Sequence, residues 1–62
     1  VEGKAVDIAC YGDKAFKIIQ LAIEEGFTGI GVSQKGPHGA RFIHLDTMDI
    51  SPLVARPWVW SY

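Results

Sequence analysis

Two polar side chains stand where the sequence otherwise has the pattern of half-buried strands: Asp7, within "GKAVDIA", and His44, within "RFIHLDT". An unpaired carboxylate taken out of water is costly, so Asp7 needs a compensating group. Imidazole is the commonest protein metal ligand, and an imidazole beside a carboxylate supplies half of a catalytic zinc site, which has three protein ligands and a water. The plainer alternatives are an aspartate that accepts hydrogen bonds from a loop and a histidine that binds nothing.

The elements that must position these residues follow the order strand, helix, strand, strand. Alternating side chains predict strands over residues 4–10, 28–33 and 41–47. Between the first two, apolar residues at three- and four-residue spacing predict a helix with Asp13 as its N-cap, running to about Glu25 and ended by Gly26. Its expected buried residues are Ala15, Phe16, Ile18, Ile19, Ala22 and Ile23. We therefore predict an α+β fold, with one amphipathic helix packed on a small antiparallel sheet.

The predicted strand faces bring Asp7 and His44 to the same side of the sheet. Side chains two positions apart in a strand point the same way, so Asp7 lies between Ala5 and Ala9 on its face of the first strand. Gly29 and Gly31 leave little side chain on the second strand, where we expect the close approach of another backbone. A carboxylate and an imidazole can therefore converge in a hollow.

The remaining segments are predicted to be loops. Residues 34–40, with two glycines and a proline, indicate a hairpin loop that carries His38. Residues 51–62 contain two prolines and two tryptophans and are predicted to be irregular chain laid over the core. Trp58 and Trp60 would either form the wall of a cleft or cover the core.

Composition excludes several classes of function. The 62 residues suffice for one small domain, and a net charge of -1 lacks the basic excess of a nucleic-acid-binding protein. No apolar run approaches the roughly 20 residues that span a bilayer, and we expect no signal peptide within residues 1–62. The single cysteine, Cys10, forms no internal disulfide and is predicted to be a small core residue.

Three motifs resemble the zinc D-alanyl-D-alanine carboxypeptidase family, which includes peptidoglycan peptidases of bacteria and phages and, more distantly, the hedgehog signalling domain. "GKAVDIA" resembles the second half of the family's H-x-x-G-x-A-x-D signature, with Gly3, Ala5 and Asp7 at matching positions. "GFTGIGV" followed by "RFIHLDT" resembles a later block, in which a histidine in an H-x-D context completes the zinc site. "RPWVWSY" resembles the tails of phage members.

The resemblance implies that residues 1–62 are the C-terminal portion of a single zinc peptidase-like domain with a hedgehog-like metallopeptidase fold. It implies a bound Zn2+, with Asp7 and His44 among its ligands. The family's first ligand is a histidine three residues before the glycine, which would immediately precede Val1. We therefore expect an upstream segment, or a partner chain in an oligomer, to complete the sheet.

The general base departs from the family pattern. Many members carry Asp or Glu three residues before the last histidine, where this chain has Arg41, which cannot accept a proton at neutral pH. Asp46 is the first candidate for a base, and His38 in the glycine-containing loop is the second. Asp46 could instead hold His44 by a hydrogen bond, as carboxylates near metal-bound imidazoles commonly do.

The implied function is hydrolysis of peptide bonds next to D-amino acids in peptidoglycan stem peptides, by a carboxypeptidase or endopeptidase acting on the bacterial cell wall, in the periplasm or delivered by a phage. Arg41 or Arg56 could bind a substrate carboxylate, although solvated surface arginines are commoner. The alternative is a non-catalytic metal-binding or structural module with the same fold, which the arginine at position 41 favours.

Overall fold

Four strands and one α-helix make up the described part of the chain, residues 4–48 and 54–62 of a computed structural model. The elements are β1 (Ala5–Ala9), α1 (Gly12–Glu25), β2 (Gly29–Ser33), β3 (Phe42–Asp46) and β4 (Trp58–Ser61), with a short 3-10 turn at His38–Ala40. The α+β class and the single helix are confirmed. Gly3, the first matching residue of the motif, and residues 51–53 of the predicted irregular segment lie outside the described residues.

The sheet is mixed rather than antiparallel, because a fourth strand joins it. Its order is β1-β3-β2-β4, with β3 antiparallel to β1 and β2, and β4 parallel to β2. The prediction of irregular chain was therefore wrong for residues 58–61. Two prolines suggested loop, but the Trp-Val-Trp run favours a strand, and its backbone pairs with the outer edge of β2.

Helix α1 ends where the sequence predicts, but it begins at Gly12 with Tyr11 as its N-cap, so the prediction of Asp13 as N-cap was wrong. Gly26 adopts a left-handed conformation with φ 93°, which glycine tolerates because it has no Cβ. Its N–H donates to the carbonyl of Ile23, and the N–H of Phe27 donates to that of Ala22 at 3.0 Å, which is the Schellman arrangement. The chain therefore leaves the helix directly toward β2.

The core lies between α1 and one face of the sheet. Its buried apolar residues are Cys10, Ala15, Ala22, Ile30, Ile43 and Leu45. The predicted burial of Cys10 is confirmed, but Phe16 and Ile23 are 73% and 64% exposed, contrary to the prediction. Each residue turns about 100° around a helix, so these two lie to one side of the alanine stripe that contacts the sheet.

None of the helices formed by residues 4–48 and 54–62 is long and apolar enough to cross a membrane.

Since successive strand residues point to opposite faces, Phe42, His44 and Asp46 alternate with the buried Ile43 and Leu45. The face of the sheet opposite α1 therefore carries the polar residues of β3.

The core predicts a position-dependent response to one chemical change, the loss of a methylene group from isoleucine. Ile43 is fully buried, so Ile43→Val should lower the free energy of unfolding by about 0.5–1.5 kcal/mol. Ile23→Val is the matched control at an exposed position and should change it by less than about 0.5 kcal/mol. Urea unfolding followed by circular dichroism measures both, and equal losses would contradict this description of the core.

Candidate functional site

Asp7 and His44 meet across neighbouring strands on the face opposite the helix. They are direct partners in the β1–β3 register, and Gly31 is the partner of His44 on the other side. The Oδ1 atom of Asp7 lies 2.8 Å from Nδ1 of His44, which confirms that the two share a face. The Asp7 side chain is 65% exposed, so it is less buried than the strand pattern of the sequence predicted. The close partner of its carboxylate is the imidazole.

The second ring nitrogen of His44 faces a buried carboxylate. Nε2 lies 3.0 Å from Oδ2 of Asp46, whose side chain is only 1% exposed. Arg56 donates from Nε to Oδ1 of Asp46 at 2.8 Å and from Nη2 to Oδ2 at 2.6 Å. Asp7, His44, Asp46 and Arg56 thus form one continuous hydrogen-bonded row, called the polar row below.

The charge of Asp46 determines the direction of these bonds. The hydrogen bond from Arg56 lowers the pKa of Asp46 to about 2, against the opposing effect of burial and with help from His44. Asp46 is therefore an ionised acceptor at neutral pH, and the hydrogen in its bond with His44 must reside on Nε2. In the neutral imidazole, Nδ1 then presents a lone pair to the carboxylate of Asp7.

A lone pair on Nδ1 of His44 and the carboxylate oxygen of Asp7, 2.8 Å apart, repel each other unless a positive species lies between them. Burial lowers the pKa of His44, but the hydrogen bonds to Asp7 and Asp46 raise it more, so that it lies above the ordinary 6.5. A proton on Nδ1 is one such species. A metal cation is another, because it binds deprotonated imidazole and carboxylate.

The donor pair fits zinc in type, but its spacing is shorter than that of a zinc site. Nitrogen and oxygen donors at about 2.0–2.2 Å from a tetrahedral zinc lie about 3.3–3.6 Å apart. The separation of 2.8 Å between Nδ1 of His44 and Oδ1 of Asp7 is a hydrogen-bond distance, so the two side chains would have to move apart to hold a zinc ion. Among residues 4–48 and 54–62, no group of three His, Cys, Asp or Glu side chains could hold a metal. The described residues therefore supply a pair of donors.

Trp60 forms a wall beside the pair. Its ring centroid lies 5.4 Å from that of His44, and a Cβ at Gly31 would come within 2.6 Å of the indole Nε1. The close approach expected at this glycine is therefore made by a side chain, not by a backbone. Trp60 therefore covers Gly31. Trp58 is 58% exposed, so it does not cover the core.

His38, the second candidate for a base, lies apart from the polar row. Its ring stacks on Tyr11 at a centroid distance of 4.2 Å, beside the start of α1. The two rings line a cavity of about 320 Å3 whose other lining residues are Ala9, Cys10, Asp13, Lys14 and Gly39. Within the described residues, no hydrogen bond joins His38 to the polar row.

The sequence did not reveal the role of Arg56. Its side chain is only 12% exposed, so it is not a solvated surface arginine, and its guanidinium pairs with Asp46 inside the chain. The sequence indicates at most that a strand aspartate taken out of water needs a compensating group, and it does not indicate which residue supplies it. Arg41, the other arginine considered, donates from Nε to the carbonyl of Gly36 at 3.0 Å and closes the loop.

Neither family models, nor curated proteins, nor solved structures gave a match to this chain. The chemistry of the polar row and the motifs of the sequence are accordingly the basis on which a function is proposed.

The geometry predicts the behaviour of His44 without metal. Asp7→Asn removes a charge that stabilises the protonated imidazole, so the pKa of His44 should fall, as measured by NMR titration. A raised pKa stabilises the fold below the ordinary value of 6.5, and this stabilisation is lost as pH rises through the folded-state pKa. Asp7→Asn should therefore destabilise the protein more at pH 5.5 than at pH 9.

The matched control is Asp13→Asn, which neutralises an aspartate in the first turn of α1. It should leave the pKa of His44 unchanged. Equal shifts in the two variants would show that net charge, and not the contact with Asp7, sets the pKa of His44.

Proposed function

We propose that this chain is the zinc-binding portion of a metallopeptidase that hydrolyses peptide bonds next to D-amino acids in peptidoglycan stem peptides. The observation that carries the proposal is the orientation of His44, which Asp46 holds by Nε2 so that Nδ1 faces the carboxylate of Asp7 at 2.8 Å. The family resemblance of the surrounding motifs supplies the substrate class. The hedgehog-like fold and the action on the bacterial cell wall are parts of the same proposal.

Asp7 and His44 would hold the metal, together with the histidine that the family motif places three residues before Gly3. A zinc ion held by these residues would lower the pKa of its bound water towards about 7 and would polarise the scissile carbonyl. Asp46 keeps the imidazole in the required orientation, and Trp60 excludes water from one side of it. The exposed side chain of Asp7 leaves the opposite side open to a peptide.

The proton acceptor is a separate part of the proposal. Both oxygens of Asp46 accept from Arg56, and one also accepts from His44, so its contacts favour the holding role over that of a base. His38 remains a candidate for proton transfer, in the loop that also carries Arg41. Neither residue needs to contact the metal, so both can be tested independently of metal binding.

The second candidate function is a non-catalytic metal-binding or structural module. The observation that favours it is the arginine at position 41, where many family members carry the base. In this chain the Arg41 side chain closes a loop by bonding to Gly36, which is a structural role.

The first test is zinc stoichiometry, measured by metal analysis on the chain extended by one histidine before Val1. One zinc per chain is expected, with loss of most of it in Asp7→Ala and in His44→Ala. His38→Ala is the matched histidine control and should retain the metal. Undiminished zinc in either ligand variant would refute the assignment of ligands.

The second test is the release of peptides from purified peptidoglycan by the same extended chain. Loss of the metal ligands in Asp7→Ala should reduce the rate to background. His38→Ala should lower the rate by about 10²–10⁴-fold with zinc retained if His38 transfers the proton, because that is the usual contribution of general acid–base catalysis. Bound zinc without any released peptide would favour the non-catalytic module.

A further inference from the structure

We infer that Arg56 is a positioning residue of this site: through Asp46, it determines which nitrogen of His44 faces Asp7. In the hydrogen bonds of the described residues, Arg56 contacts neither Asp7 nor His44, and it reaches His44 only through the buried carboxylate of Asp46, which lies between Arg56 and His44. The inference rests on the proposed function only where Nδ1 of His44 is regarded as a metal donor.

Arg56 and Asp46 form a pair with a defined geometry. A guanidinium presents parallel N–H donors that match the two oxygens of a carboxylate. Arg56 uses two of them, from Nε and Nη2, which fixes the plane of the Asp46 carboxylate as well as its position. A single point charge such as lysine cannot fix that plane.

Gly29 provides the space for the pair of Arg56 and Asp46. Gly29 lies opposite Asp46 in the register of β2 and β3. A Cβ at position 29 would overlap the Asp46 carboxylate and would come within 2.5 Å of Nε of Arg56. The glycine that the sequence indicated as a place of close approach thus admits the pair of side chains.

Trp60 supports the guanidinium of Arg56. The Cζ atom of Arg56 lies 5.1 Å from the centroid of the Trp60 ring, within range of a cation–π contact. The same indole lies beside His44. Trp60 therefore packs against both the positioning residue and the imidazole that it positions.

The hydrogens available along the polar row determine which nitrogen of His44 donates to Asp46. Arginine has only donors, so both Asp46 oxygens act as acceptors toward it. His44 must then donate from Nε2, and its other nitrogen is directed at Asp7. Without Arg56, Asp46 can rotate or bind water, and the imidazole loses the partner that determines its orientation.

The experiment compares Arg56→Gln and Arg56→Lys with the parent 62-residue chain, without metal, by NMR of the His44 ring. The parent should show a protected, downfield Nε2–H proton. Arg56→Gln should lose that signal by exchange with water, and Arg56→Lys, which keeps the charge but not the fork, should retain it only in part. Arg56→Lys also serves if Arg56→Gln does not fold.

Two matched controls separate positioning from general stability. Arg41→Gln removes the arginine that bonds to Gly36, and Ile43→Val weakens the buried core. Both should keep the Nε2–H signal of His44, even where they lower the free energy of unfolding. A signal that persists unchanged in Arg56→Gln, or that disappears equally in Ile43→Val, would overturn the inference.

A zinc titration of the chain with the added histidine distinguishes failure of this inference from failure of the proposed function. Arg56→Gln should weaken zinc binding by up to about 10–100-fold, which is the usual effect of losing the carboxylate behind a metal-bound histidine, because Arg56 holds that carboxylate. If the parent binds no zinc but only the Arg56 variants lose the Nε2–H signal, the metal function fails and the positioning role is supported. If zinc binds equally well to the parent and to Arg56→Gln, the positioning role fails.

Discussion

The hydrogen bond between Nε2 of His44 and the buried carboxylate of Asp46 is the interaction on which the rest of the site depends. A neutral imidazole carries one hydrogen, so the nitrogen that donates it decides what the other can do. With Asp46 as the acceptor, Nδ1 of His44 is left to share a positive species with Asp7, 2.8 Å away. A proton or a metal ion can occupy that position, and each excludes the other.

The sheet order is what allows this bond to form. β3 lies between β1 and β2, so His44 has a carboxylate beside it on one strand and a glycine on the other. β4 pairs with the outer edge of β2, and Trp60 then reaches over Gly31 to the imidazole. The helix takes no part in this face, because it packs on the opposite side through Ala15 and Ala22. One face of the sheet therefore maintains the fold, and the other is available for chemistry.

Residue alternation was sufficient to predict that Asp7 and His44 share a face, since it depends only on the two-residue period of strands. The helix and its end at Gly26 were also predictable, because spacing and glycine conformation are local properties. The strand at residues 58–61 was not, because two nearby prolines are local signals of loop, whereas the edge of β2 with which it pairs is distant in the sequence. The partner of Arg56 was missed for the same reason: a bidentate pair with Asp46 depends on where the chain returns, which no local pattern specifies.

The central claim is that His44 offers Nδ1, and not Nε2, to a metal shared with Asp7. The most direct measurement is the 15N NMR of the two His44 ring nitrogens during addition of zinc to the chain with a histidine before Val1. The account predicts a large shift of Nδ1, with the Nε2–H signal retained against Asp46. A zinc-dependent loss of the Nε2–H signal, or binding that leaves both His44 nitrogens unshifted, would contradict it.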